Sequence, residues 1–224
     1  MASQGFDSVS VDAQHGALDY SAALPMIQAI DGKGMLPMAR VPWREPGIIM
    51  KMLDAGAMGI ICPMVNTREE CEAFVGACRY VPDGYRSLGP TRAKIAYGAD
   101  YPQQANASVI TMAMVETQEA LDNVDAIASV PGLDAIFVGG GDLRLSMMGE
   151  FGYDKTDDKM LAALDRILAA CEQNNITAGL FAASPAYAIK MIERGFRFVT
   201  VQTDSMLLQQ AAASAVQTVR DGIK

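Results

Sequence analysis

Short apolar runs alternate with amphipathic stretches along nearly the whole chain, and this alternation limits the fold more than any other feature. Runs at 6–12, 35–41, 59–65, 109–116, 135–139, 177–183 and 196–202 have strand length, and helical apolar spacing follows each of them. The run at 59–65 is apolar at nearly every position, as a strand covered on both faces requires. Repeated strand–helix units dictate parallel strands joined by crossover helices. The helix near 45–55 carries Pro46 in its first turn, where a missing N–H costs little, and Gly56 marks its end. Asn66 or Thr67 caps the next helix, with Glu69 and Glu70 in the first turn, where the helix dipole favours acids. The last helix runs from about residue 205 to the C-terminus, with Leu208, Ala212, Ala215 and Val219 along one side. No shift in composition marks a boundary, so 1–224 reads as one α/β domain. An open doubly wound sheet and a closed (β/α)8 barrel both fit; seven visible units favour the barrel while falling one short of it.

Composition narrows the function classes. Half of the 224 residues are hydrophobic, enough for a substantial core. A net charge of −8 argues against a general binder of nucleic acid or anionic membrane, although a local cationic pocket remains compatible with it. Cys62, Cys71, Cys78 and Cys171 form no CxxC pair, and with one histidine in the chain a Cys/His structural zinc site is excluded in practice. The first residues lack a basic, apolar leader and no run approaches membrane-spanning length, so the expectation is a soluble protein of the cytoplasm. Residues 82–108, rich in Gly, Pro, Tyr and Arg, break the rhythm and read as a long irregular connection. Arg86, Arg92 and Lys94 within it are either candidates to face an anionic ligand or ordinary solvated loop charges.

In parallel α/β folds ligands sit beyond the C-terminal ends of strands, so the polar residues at those ends matter most. Here they are Asp12 with His15, then Arg40, Asn66, Glu116, and Asp142 after Gly139, Gly140 and Gly141. Glu116 and Asp142 end adjacent units, where two carboxylates can converge on a hard cation and leave most of its shell open to water and substrate. Taken alone, each acid also has a helix-start reading, as a cap or first-turn residue, which is the weaker of its two explanations. The three glycines allow backbone N–H groups to point at an anion, and a phosphate cradle is the competing use of such a turn. His15, the only histidine, follows Asp12 by three residues, a spacing that suits a proton carrier and equally a surface histidine. Arg40 ends an apolar strand and requires an anionic partner or ligand there.

At these residues the sequence resembles the HpcH/HpaI aldolases, metal-dependent (class II) pyruvate aldolases acting on 4-hydroxy-2-oxo acids. The matching stretches are GFDSVSVDAQHG, RVPWREP, LDAGAMGIICPMVNTREE, YRSLGPTRA, MVETQEAL and GLDAIFVGGGDLRLSMMG, in order along nearly the whole chain. The resemblance implies a (β/α)8 TIM barrel of the phosphoenolpyruvate/pyruvate type whose first βα unit is absent here, which accounts for the count of seven. It places the ligands of a divalent metal, Mg2+ or Mn2+ before Co2+ or Zn2+, on Glu116 and Asp142. It places an oxo-acid-binding, enolate-steadying arginine on Arg40, a histidine–aspartate pair on His15 and Asp12, and carboxylate-binding N–H groups at Gly141 and Asp142. The implied reaction is reversible cleavage of a 4-hydroxy-2-oxo acid into pyruvate and an aldehyde, by a homo-oligomer (often a hexamer) whose last helix packs on a neighbour. Met114 stands where some members have glutamine, and Gly140 where many have proline. Two other readings are carried forward: a citramalyl- or malyl-CoA-type lyase, and a catalytically silent barrel subunit that binds 2-oxo acids.

Overall fold

The computed structural model describes residues 1–223. Its elements begin with β1 (Ser8–Asp12), α1 (Tyr20–Asp31), β2 (Leu36–Arg40), α2 (Pro46–Asp54), β3 (Gly59–Cys62) and α3 (Arg68–Cys78). They continue with α4 (Thr91–Tyr97), α5 (Tyr101–Ser108), β4 (Ile110–Val115), α6 (Gln118–Asp122), α7 (Val124–Ala128) and β5 (Ala135–Val138). The last are α8 (Gly140–Met148), α9 (Asp158–Gln173), β6 (Thr177–Ala182), α10 (Pro185–Arg194), β7 (Phe198–Val201) and α11 (Asp204–Gly222). All seven strands form one parallel sheet in the order β1-β2-β3-β4-β5-β6-β7, curled into a barrel-like wall. Among the described residues β1 pairs only with β2 and β7 only with β6, so the wall has two free edges.

Side-chain parity divides the core into two layers, because successive strand residues face opposite sides. Val11, Ala39, Ile60, Cys62, Ala113, Val115, Ile136, Val138, Leu180 and Ala182 face outward and pack under the helices. Their neighbours Met38, Ile61, Met112, Met114, Ala135 and Phe137 fill the inside of the curl, with Phe181 and Phe198 against them. Space for the rings comes from Gly179, where a Cβ would stand 2.8 Å from the Phe198 carbonyl oxygen and 3.2 Å from Phe137. Asp12, Arg40 and Glu116 continue the inward parity of their strands, so the polar mouth and the apolar floor belong to the same face.

Residues 82–108 depart from the expected irregular connection, since α4 and α5 lie within them. Pro102 occupies the first turn of α5, and Gly98, at φ 103°, ends α4. The arginines there are spent on structure. Arg86, with a fully buried side chain, donates to Asp54 Oδ1 (2.8 Å) and to the Tyr101 hydroxyl (3.1 Å), and Arg92 donates to Asp31 Oδ2 (2.6 Å). Both carboxylates end helices that run back from the strand tips, so these charges lie at the end of the wall opposite Asp12 and Arg40.

Thr67 is the cap of α3, accepting from Glu70 N, and the two glutamates of the first turn stand as the dipole favours. No helix among the described residues is long and apolar enough to cross a membrane. All four cysteines are free and buried, and burial pushes the thiols of Cys71, Cys78 and Cys171 up to about 12.

Candidate active site

Parallel register brings the expected residues to one end of the wall. Asp12 and Arg40 are partners across β1 and β2, Glu116 follows the last residue of β4, and Asp142 lies in the first turn of α8 just beyond β5. Asp12 receives both arms of Arg40, from Nε at 2.9 Å and from Nη2 at 2.5 Å, a fork that suits a carboxylate. It also accepts from the backbone N–H groups of Gln14 and His15. Burial works to raise the Asp12 carboxyl, but the Arg40 pair and these N–H groups hold it below its ordinary value. His15 is exposed beside it, and the hydrogen bond that reaches Asp12 comes from its main chain rather than its ring. The carboxylate that the sequence assigns to the imidazole is therefore engaged by Arg40.

Glu116 is 2% exposed. Burial pushes its carboxyl up to about 7; the Met64 N–H works against the rise, nearby Asp142 adds to it, and Arg40 opposes it. Both partners are thus within electrostatic reach of one buried acid. Oε1 accepts from Met64 N at 2.7 Å. Oε2 lies over Gly139, where a Cβ would meet it at 2.3 Å, so only glycine leaves this oxygen its place. Two carboxylates at adjacent strand tips, one of them desolvated, form an all-oxygen donor set that fits a hard divalent cation. Among the described residues no third acid, cysteine or histidine joins them, which leaves the remaining coordination to water or substrate.

Gly141 sits in the first turn of α8, whose N–H groups have no intrahelical partners. A Cβ on it would stand 2.8 Å from Tyr153, whose ring meets Phe181 edge-on at 5.9 Å. Tyr153 therefore walls the turn proposed for a carboxylate. Asp154, at φ 55°, anchors the same loop through Ala183 N (2.8 Å) and Ser184 Oγ (2.6 Å). Met114 is buried beside Gly139, at the apolar floor directly below Glu116.

Sequence reasoning did not find Met64 or Tyr153, nor the room that Gly139 leaves for the Glu116 carboxylate. Gly139 belongs to the glycine run already singled out, whereas nothing in the sequence marks Met64 as left-handed.

The family model for HpcH/HpaI aldolase/citrate lyase matches residues 1–211. The chain belongs to this family. Among its relatives is a hydroxypyruvate/pyruvate aldolase of Rhizorhabdus wittichii, 38% identical over 215 residues, covering 96% of this chain and 86% of that protein. A 5-keto-4-deoxy-D-glucarate aldolase of Escherichia coli is 34% identical over 218 residues, covering 96% and 84%. Among solved structures, an HpcH/HpaI aldolase/citrate lyase family protein from Burkholderia cenocepacia superposes with a TM-score of 0.90 at 34% identity, covering 98% of this chain and 88% of its own. The curled wall is therefore the TIM-barrel-like fold of the HpcH/HpaI family.

Proposed function

We propose that this HpcH/HpaI protein is a class II aldolase that cleaves a 4-hydroxy-2-oxo acid to pyruvate and an aldehyde, and joins them in reverse. The observation that carries the reading is Glu116: a carboxylate buried to 2% exposure and pushed up to about 7, under the influence of both Asp142 and Arg40. A buried acid of this kind beside a second carboxylate is stabilised by a cation that replaces its lost hydration. A divalent ion such as Mg2+ or Mn2+, held by Glu116 and Asp142, would supply Lewis acidity to the carboxylate and keto oxygens of the substrate.

The remaining roles fall to the chain itself. Backbone N–H groups at Gly141 and Asp142 receive the substrate carboxylate at the start of α8. His15, directly or through a water, takes the proton of the C4 hydroxyl. The C4–O–H electron pair becomes the aldehyde C=O, the C3–C4 bond breaks, and its electrons pass into the pyruvate enolate. Arg40 offsets the enolate's charge, as a preorganised oxyanion site does, and Asp12 holds its guanidinium in place. His15 then returns that proton, directly or through a water, to C3 of the enolate, and pyruvate is released. The Rhizorhabdus and Escherichia relatives, both named as aldolases, support this over the CoA-lyase reading.

A retro-aldol assay with coupled pyruvate detection tests the proposal. Activity is expected with Mg2+ or Mn2+, and is expected to vanish with chelator and in Glu116→Ala. Turnover indifferent to both would sink it. The same reading includes a cytoplasmic homo-oligomer, to which the exposed α11 contributes, and a wall of the (β/α)8 barrel type.

A further inference from the structure

The N–H that holds Glu116 comes from a residue in an unfavourable backbone state. Met64 has φ 55°, in the left-handed region that favours glycine, and in this state its N–H meets Oε1 of Glu116 at 2.7 Å. Something must hold it. The carbonyl of Met64 accepts from Nη1 of Arg44, and the same peptide unit donates through Val65 N to the Met114 carbonyl at 3.3 Å. Both peptide planes flanking the Met64 Cα are thereby pinned, one by Glu116 and the other by Arg44 and Met114.

Arg44 is anchored in turn. Its Nη2 stands 2.7 Å from Glu70 Oε1, while Glu70 Oε2 accepts from Asn66 N at 2.7 Å. Glu70 thus grips the guanidinium and the loop that the guanidinium grips. Trp43, the chain's one tryptophan, covers the guanidinium at 5.1 Å from its ring centroid. Arg44 also sits in the loop leaving β2, whose last residue is Arg40, so one side chain links the Arg40 loop to the Glu116 contact.

We propose that Arg44, anchored by Glu70, is a positioning residue for the metal ligand Glu116. It keeps Met64 in the left-handed state that fixes Oε1 and leaves Oε2, over Gly139, as the oxygen presented to the cation. This rests on the reading of Glu116 and Asp142 as a metal site. Partners that orient metal ligands typically govern affinity by 10–100-fold, and the loss of Arg44 is expected in that range.

The test is calorimetric titration of metal-free protein with Mn2+, with circular dichroism to verify the fold of each variant. Arg44→Ala is expected to raise the Mn2+ Kd about 10–100-fold, and Glu70→Ala to act in the same direction. The double variant should lose no more than Arg44→Ala alone, because the two act as a unit. In turnover at saturating Mn2+ the KM for the 2-oxo acid should stay near the native value, a split that general loosening would not produce. If Arg44→Ala does not fold, Arg44→Gln serves, with a smaller loss expected in the same direction. Folded variants that bind Mn2+ as the native protein does would overturn the positioning role alone. Failure of the native protein to bind Mn2+ would overturn the metal-site reading and this inference together.

Discussion

At Glu116 burial sets a stability cost that a cation can remove. Its folded-state pKa lies above the ordinary carboxyl value, at about 7 against 4.5. The stability linked to its proton is therefore complete below about pH 4.5 and lost as pH climbs through about 7. At about 1.4 kcal/mol per unit this amounts to roughly 3 kcal/mol. Metal-free protein is thus expected to melt lower at pH 8 than at pH 5.5, and Mn2+ to restore the difference at pH 8. Scanning calorimetry of chelated protein checks this, and Glu116→Gln should flatten the dependence. Asp12 has the opposite sign: its carboxyl is held below 3.8, so the stability it lends is present above that value and lost only as pH falls through its folded-state pKa. Gly139 bears on the same oxygen. At φ −85° alanine meets no backbone objection, so the effect of Gly139→Ala falls on Glu116, whose Oε2 would stand 2.3 Å and whose Cβ 2.8 Å from the new methyl group. A Mn2+ affinity weakened at least tenfold with an intact circular dichroism spectrum is the expected outcome; unchanged affinity would show that Oε2 does not face the cation. Arg40→Ala should lower kcat/KM by about 100-fold or more, the scale of an oxyanion donor, while Mn2+ binding persists.

Among the elements, β4 and β5 are tied at their starts by one buried cation. Arg79 donates to the carbonyls of Val109 (2.6 Å) and Gly132 (3.0 Å) and to Asp134 Oδ2 (2.9 Å). Asp134 also accepts from Thr111 N and Oγ1, so removing the guanidinium strands acceptors from both strands. Arg79→Met is expected to cost about 2 kcal/mol, the scale of a buried carbonyl left without its donor, because Arg79 is buried while Asp134 is 44% exposed and keeps its Thr111 donors; it is readable as a lowered urea midpoint with unchanged m-value. The seven strands were legible because each is an apolar run bounded by turn residues; structure and sequence differ by at most two residues at the strand ends except at β3, which stops three residues short of the 59–65 run. The helices α4 and α5 were not, since Gly, Pro and Tyr dominate a segment whose order comes from Arg86 and Arg92 reaching Asp54 and Asp31 of distant helices.

For the whole molecule, two unpartnered elements of the fold lie at the ends of the chain's path. β1 and β7 present free edges, and α11 buries no residue, with Leu208 72% and Val219 63% exposed. Sheet edges and apolar helix faces of this kind invite partners. Sedimentation velocity is expected to find an oligomer of this chain, and truncation before Asp204 to shift it towards smaller species. A native protein that sediments only as a monomer would contradict the oligomeric reading.

Sequence by itself determined the parallel βα architecture, because period and turn residues are local properties. It also determined which strand tips carry Asp12, Arg40, Glu116 and Asp142, since position along a strand is countable. What the tertiary structure decided is how those groups pair. Asp12 goes to Arg40 rather than to the His15 ring, since register sets β1 and β2 side by side with the two residues opposite each other. Burial raised Glu116, and a left-handed Met64 held by Arg44 came to hold it in turn. Those are relations among residues 20 to 52 positions apart, and they exist only once the wall has curled.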